Sequence, residues 1–185
     1  MRPERRYQPN SRRGWGYTRS AAGVLAVCIL FVTGCGTVAD ADQNWSADRY
    51  EVKQLVVQEA ARLQVPVSLA LAVAHVESNF DATARSSKGA RGVMQIMPST
   101  ARGEYGIEPK LLWHPRLNIR LGLHFLKRLI RRYDGRVDLA LSHYNGGSAV
   151  GRPPYARVIP ATAGYVAKVR RMRQHYRNRL LHGQV

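Results

Sequence analysis

The sequence predicts an all-α domain of about six helices, and three observations carry that expectation. Apolar residues recur at helical spacing in several windows. The clearest is Pro115–Tyr133, where Ile119, Gly122, Leu123, Leu126, Leu129, Ile130 and Tyr133 form one stripe with Arg and Lys opposite. No segment alternates apolar and polar residues convincingly at the period of a strand. Helix punctuation falls at matching places: Pro115 suits a first turn, and Asp134-Gly135 follows a last one.

The chain has 185 residues and a formal net charge of +17, which suits one domain with extensions. The extension is N-terminal. Met1–Ser20 carries six arginines and one acid, and Ala21–Val32 is an apolar run of twelve residues. Twelve residues fit the apolar part of a secretory signal better than a bilayer span. Val32-Thr33-Gly34-Cys35 then resembles the lipobox of bacterial lipoproteins, which implies cleavage before Cys35 and acylation of that cysteine. Residues 1–34 are therefore expected to be a lipoprotein signal peptide, 35–47 a tether and 48–180 the functional domain. Ser11-Arg12-Arg13 faintly resembles a twin-arginine export signal. Cys28 leaves with the signal, so no disulfide is expected in the mature chain. Loss of residues 1–34 leaves 23 basic and 11 acidic side chains, net +12. Such charge suits anionic wall polymer or lipid head groups; nucleic acid is not expected for an exported lipoprotein.

Within the domain, Asp48 is placed to cap a helix over Arg49–Gln64, with Glu51 at capping-box spacing. Val65–Phe80, VPVSLALAVAHVESNF, is the stretch the rest is organised around: its apolar run reads as a core helix ending in a carboxylate. Asp81–Gly92 reads as a loop leading to Val93–Pro98. Ser99 is expected to cap a short helix through Glu104, closed by Gly106. Beyond the Pro115–Tyr133 helix, a short apolar helix over Val137–Tyr144 ends at Asn145-Gly146-Gly147. Ser148–Pro160 reads as surface loop. An arginine-rich helix from about Thr162 to Arg179 completes the set.

Glu77 lies on the helix face of Ala70 and Val73, with Phe80 three residues on. A carboxylate among such neighbours holds its proton more tightly than in water. The alternative is a helix-end glutamate that points to solvent. Asp81 is the nearest second acid, expected in solvent where the helix ends. The six histidines show no pair at metal-ligand spacing with an acid between, so neither a metal nor another cofactor is expected.

Four groups of residues stand together: Glu77-Ser78; Ser86–Gly89 and Gly92 with Met94-Gln95-Ile96-Met97-Pro98; Tyr144-Asn145-Gly146; and Thr162 with Tyr165-Val166. In this order and spacing they resemble the soluble lytic transglycosylase family, with a goose-type lysozyme-like fold, over roughly Val65–Val169. Pro115, Asn118-Ile119 and Gly122 share in the resemblance. It implies a substrate groove and cleavage of the β-1,4 bond between N-acetylmuramic acid and N-acetylglucosamine in peptidoglycan, leaving 1,6-anhydromuramoyl ends. It also implies roles for residues: Glu77 as single acid and base, with Ser86, Met94, Gln95, Tyr144, Asn145 and Tyr165 around the bound glycan. Tyr165 matches a tyrosine whose hydroxyl approaches the carboxylate, and Gln95 and Asn145 match glycan-contacting amides. Gly89, Gly92 and Gly146 serve backbone geometry. One acid suffices because the substrate supplies the nucleophile, whereas ordinary glycosidases need two carboxyl groups.

Two departures from the family pattern stand out. Ala161 occupies a position where members commonly have Glu, and His143 one where they often have Ala; His143 is expected to face solvent. The expected partners are peptidoglycan glycan strands and a bacterial membrane, reached through the lipid on Cys35. The enzyme would lie on the periplasmic face, at the outer membrane, with secretion or division machinery as candidate protein partners. Two other functions stay open: a lysozyme-type hydrolase, and an inactive wall-binding or secretion-assembly module.

Overall fold

The structure, a computed structural model, describes residues 48–184. The expected signal peptide, the tether and Cys35 lie outside the described residues. Six α-helices follow in order: α1 Arg49–Leu63, α2 Val67–Ser78, α3 Pro98–Tyr105, α4 Pro115–Arg132, α5 Val137–Gly146 and α6 Pro160–Leu181. Short 3-10 turns over Pro109–Trp113 and Gly147–Val150 join them. Among the described residues there is no strand, only isolated bridges from Arg91 to Arg85 and to Ile96.

α2 is the axis of the core. Ser68 through Ala74 are all buried, because neighbours cover the helix on every side. α1 and α6 pack directly against α2; α4 lies on α1 and α5, and α5 on α6. Leu69, Leu71, Ile119, Leu123 and Leu126 are fully or nearly fully buried at the centre. Burial of each such side chain contributes roughly 1.5–3 kcal/mol.

The helix boundaries match the expected periodicity more closely than the expected caps. Asp48 is the residue before α1, yet its side chain makes no capping hydrogen bond, so the capping box with Glu51 does not form. α3 starts at Pro98 rather than after Ser99, with Met97 in the extended conformation before it. Proline at the first position needs no partner for the N–H it lacks, so the helix starts one residue earlier. The turn over Pro109–Trp113 was not anticipated. It buries Pro109 and Leu112, which have no period long enough to be read as an amphipathic helix.

Candidate active site

The site is assembled where α2 ends. Asn79 and Phe80 both take left-handed backbone conformations, φ 52° and 64°, so the chain reverses immediately after the last turn of α2. Asn79 donates its N–H to His75 O and closes the helix. Ser78 Oγ donates to Val93 O at 2.8 Å, which ties the helix end to the segment carrying Met94 and Gln95. Glu77 is thereby held half-buried on rigid backbone. The solvent-pointing alternative fails.

Burial raises the pKa of Glu77 from 4.5 to about 7. Two influences oppose that rise. Tyr165, from α6, donates its hydroxyl to Glu77 Oε1 at 2.6 Å, and the positive charge of Lys168 lies one turn further along α6. Burial outweighs both because a neutral phenol and an exposed ammonium do not replace lost water. No second carboxylate figures among the causes of the shift. Asp81, the nearest acid in sequence, is engaged instead: its Oδ1 accepts from the Thr83 N–H and hydroxyl. It closes the turn after α2.

The segment 84–96 forms a second wall built on Asn118, a fully buried residue of α4. Asn118 Oδ1 accepts from Met94 N at 2.8 Å, and its Nδ2 donates to Arg91 O and Leu112 O. Three polar groups in a dry interior are thus satisfied by one amide. Gly92 sits over it at φ +69°, and a Cβ there would come within 2.6 Å of Asn118 Nδ2. Gly122 has the same role from α4: a Cβ would stand 2.5 Å from Met94 Cβ. Asn118 carries no charge and no nucleophile, so spacing alone did not mark it as the anchor of this wall.

The remaining expected site residues divide. Tyr144, on α5, donates its hydroxyl to Met94 O at 2.8 Å, and burial and the charge of Glu77 raise its pKa. It is therefore a neutral brace between α5 and the 84–96 segment, within the field of Glu77. Gln95 has φ 46°, and its Nε2 donates to Ala84 O and Gly92 O. Its amide nitrogen is spent on the loop, which leaves the carbonyl oxygen as the atom able to meet a ligand. Ser86 Oγ accepts from Ala90 N, so this hydroxyl shapes the turn that ends at Gly89. Asn145, beside Tyr144, is exposed and can offer its amide to a ligand. For Met94, expected to line the groove with core packing as the close rival, the rival reading holds: its side chain has no exposed surface and packs beneath the site.

Thr162 is buried, with its Oγ1 2.6 Å from Ser142 Oγ; it joins the start of α6 to α5. Ala161 beside it is exposed. His143 does not face solvent as expected. It is half-buried, with Nδ1 2.7 Å from the Tyr133 hydroxyl and its ring against Phe125, and burial lowers its pKa. The fully buried Tyr133 needs a partner for its hydroxyl, and His143, like Gly151 O, provides one. Among the described residues, no group of three His, Cys, Asp or Glu side chains is arranged to hold a metal ion.

Comparison with known proteins fits this geometry. The Transglycosylase SLT domain family model matches residues 54–153. The chain is similar to membrane-bound lytic murein transglycosylase E of Buchnera aphidicola, 26% identical over 69% of this chain and 70% of that protein. It is also similar to the soluble lytic murein transglycosylase of Escherichia coli, 29% identical over 62% of this chain and 21% of that one. Among solved structures, an inactive mutant of the lytic transglycosylase Slt from Pseudomonas aeruginosa superposes with a TM-score of 0.60 at 27% identity, covering 75% of this chain and 26% of that chain. The chain thus spans about a fifth to a quarter of these larger soluble relatives. With the matched family spanning more than half of the sequence and the helical fold shared, the chain belongs to the transglycosylase SLT domain family.

Proposed function

We propose that this domain is a peptidoglycan lytic transglycosylase that cleaves the β-1,4 bond between N-acetylmuramic acid and N-acetylglucosamine. The observation that carries the reading is the setting of Glu77: Tyr165 holds its Oε1 at 2.6 Å, burial pushes its pKa up to about 7, and Asp81, the nearest acid in sequence, is turned to Thr83. A group that must first give a proton and then take one works best with a pKa near ambient pH.

Protonated Glu77 donates to the glycosidic oxygen as the bond to the muramic anomeric carbon breaks. The muramic 2-acetamido oxygen supports the oxocarbenium-like centre. Glu77, now a carboxylate, removes the proton from the 6-hydroxyl of the same sugar as that oxygen closes on the anomeric carbon. The products are a chain ending in 1,6-anhydromuramic acid and a released N-acetylglucosamine end, and Glu77 is protonated again. Tyr165 holds Oε1 at 2.6 Å, which fixes the carboxyl orientation through both transfers. The exposed Asn145 and the carbonyl oxygen of Gln95 are the amide groups suited to sugar hydroxyls and acetamido groups. General acid–base help of this kind supplies roughly 10²–10⁴-fold, and positioning supplies much of the remainder.

The inactive mutant of the Pseudomonas enzyme has glutamine in place of a glutamate, which supports a role for a glutamate here. Lipid anchoring through Cys35 at the periplasmic face is part of the same proposal. Several relatives are named membrane-bound, and no described helix is long and apolar enough to cross a membrane. Mass spectrometry of digested sacculi tests the chemistry. Anhydro products, lighter by one water than reducing ends, are expected; a dominant reducing-end product would make the enzyme a hydrolase.

A further inference from the structure

On the α5–α6 side of the domain lies a cavity of about 490 Å³ that neither Glu77 nor Tyr165 lines. Its apolar surface comes from the half-buried Val137, with the fully or nearly fully buried Leu69, Leu141 and Val169 packed beneath, and its charge from arginines of α6. Arg170, Arg173 and Arg177 recur at spacings of three and four, so they form one stripe along the helix. Arg171 also reaches the cavity, as does Asp138, the acid that pairs with Arg170 at 3.2 Å. One carboxylate therefore faces four guanidinium groups.

That arrangement costs stability. Arg173 and Arg177 stand one turn apart, where like charges destabilise a helix. Arg173 is half-buried, and its Nε is out of contact with solvent with no hydrogen-bond partner. An unpaired donor in that setting loses water without recompense. Burial and the neighbouring Arg177 together pull the Arg173 pKa below its ordinary value. A solvated basic face spreads its guanidiniums outward; here one of them is drawn into a concave, partly apolar wall. Guanidinium forks are suited to oxyanions with several acceptor oxygens, and an excess of positive charge calls for more than one negative charge.

We propose that this pocket is a second binding site, separate from the Glu77 site, for a phosphate-bearing ligand held by Arg170, Arg173 and Arg177 over the apolar floor. The phosphate can be that of a soluble compound or that of a lipid head group, and the same residues serve either.

The test uses the full-length protein, pyrophosphate as the soluble probe, and vesicles of phosphatidylglycerol against phosphatidylcholine as the lipid probe. Calorimetric titration of wild type is compared with Arg173→Gln/Arg177→Gln and with Arg131→Gln/Arg132→Gln, which removes equal charge from the exposed end of α4. The pocket variant is expected to bind the probe about tenfold or more weakly, because two charge-assisted contacts are lost, while the α4 variant binds as wild type does. Its melting temperature without ligand is expected to equal or exceed that of wild type, since a repulsion has been removed, which separates lost binding from lost folding. Pyrophosphate binding that depends on the pocket assigns a soluble phosphate. Pocket-dependent binding confined to phosphatidylglycerol vesicles assigns the head group. Absence of binding to both probes, or equal losses in the two variants, overturns the proposal. Wall lysis by the pocket variant stays at the wild-type level in either supporting case, so failure here leaves the assignment of Glu77 untouched.

Discussion

Glu59 and Glu77 lie on neighbouring helices, α1 and α2, and both are withdrawn from water, yet their protons are held in opposite ways. Glu59 is 1% exposed, but it lies under two half-exposed arginines rather than deep in the core, and its pKa falls below 4.5. Arg120 Nε and Arg116 Nη1, from α4, hold its two oxygens at 3.0 and 2.9 Å. The Arg120 hydrogen bond is the largest influence and outweighs the desolvation that acts against it. Glu77 has a phenol at 2.6 Å and only a distant Lys168 for positive charge, so desolvation prevails and its pKa rises to about 7. Loss of solvent contact alone does not decide protonation. What decides it is whether the partner brings a full charge into contact.

The difference can be broken from either side. The largest effect is expected for Glu77→Gln, which keeps shape and removes the titrating proton. Wall lysis should fall by roughly 10²–10⁴-fold. The same substitution should stabilise the fold. A carboxyl whose pKa is raised on folding favours the folded state below its unfolded pKa and loses that contribution as pH rises toward 7. Melting curves should therefore show a gain for Glu77→Gln at pH 8, on the order of 1–3 kcal/mol, that vanishes by pH 4. An equal gain at both pH values would contradict the raised pKa.

Arg116→Ala/Arg120→Ala should remove what sets Glu59 apart. It takes away both charge partners and, because those arginines are 43% and 41% exposed, lets water reach the carboxylate they cover, a loss of about 2–3 kcal/mol at neutral pH by denaturant titration. The slope with pH should also flatten. In the native protein the lowered pKa of Glu59 adds stability above its unfolded value, and this is lost as pH falls through the folded pKa. In the double variant that loss on acidification should largely disappear, because the arginines that lower the folded pKa are gone.

Tyr165→Phe sharpens the contrast from the other direction. The hydroxyl at 2.6 Å favours the charged form, so its loss should move the Glu77 pKa upward and lower activity about tenfold. The limb of the kcat/KM profile that reports Glu77 should move to higher pH; an unmoved limb would mean that the phenol does not act on the carboxyl. Glu59→Gln is expected to have the smallest effect, about 1–2 kcal/mol. Its arginines are 43% and 41% exposed, so water can take over from the lost carboxylate.

Glu77 could be found before the fold was known because its signal is local: an apolar helix that ends in an acid, then motifs at family spacing. Glu59 sits beside the buried Ala60 on α1, but its partners are 57 and 61 residues away on α4, beyond any periodic reading. Met94 illustrates the reverse error. It belongs to a recognisable motif, yet Gly122 lets α4 approach so closely that its side chain is sealed from solvent. His143, expected at the surface, is drawn inward by the hydroxyl of Tyr133 ten residues earlier.

From the amino-acid order alone came the all-α class, the placing of six helices to within a few residues, and the acid on which the proposed chemistry turns. These depend on periodicity and on residue spacing, which the chain carries in one dimension. Only the tertiary structure decided between the buried and the solvent-facing reading of Glu77, the charge pairing of Glu59, the anchoring of the 84–96 wall by Asn118, and the gathering of α6 arginines around a cavity. Each of these depends on which distant helix supplies a charge, an amide or an apolar wall, and that is settled by packing in three dimensions.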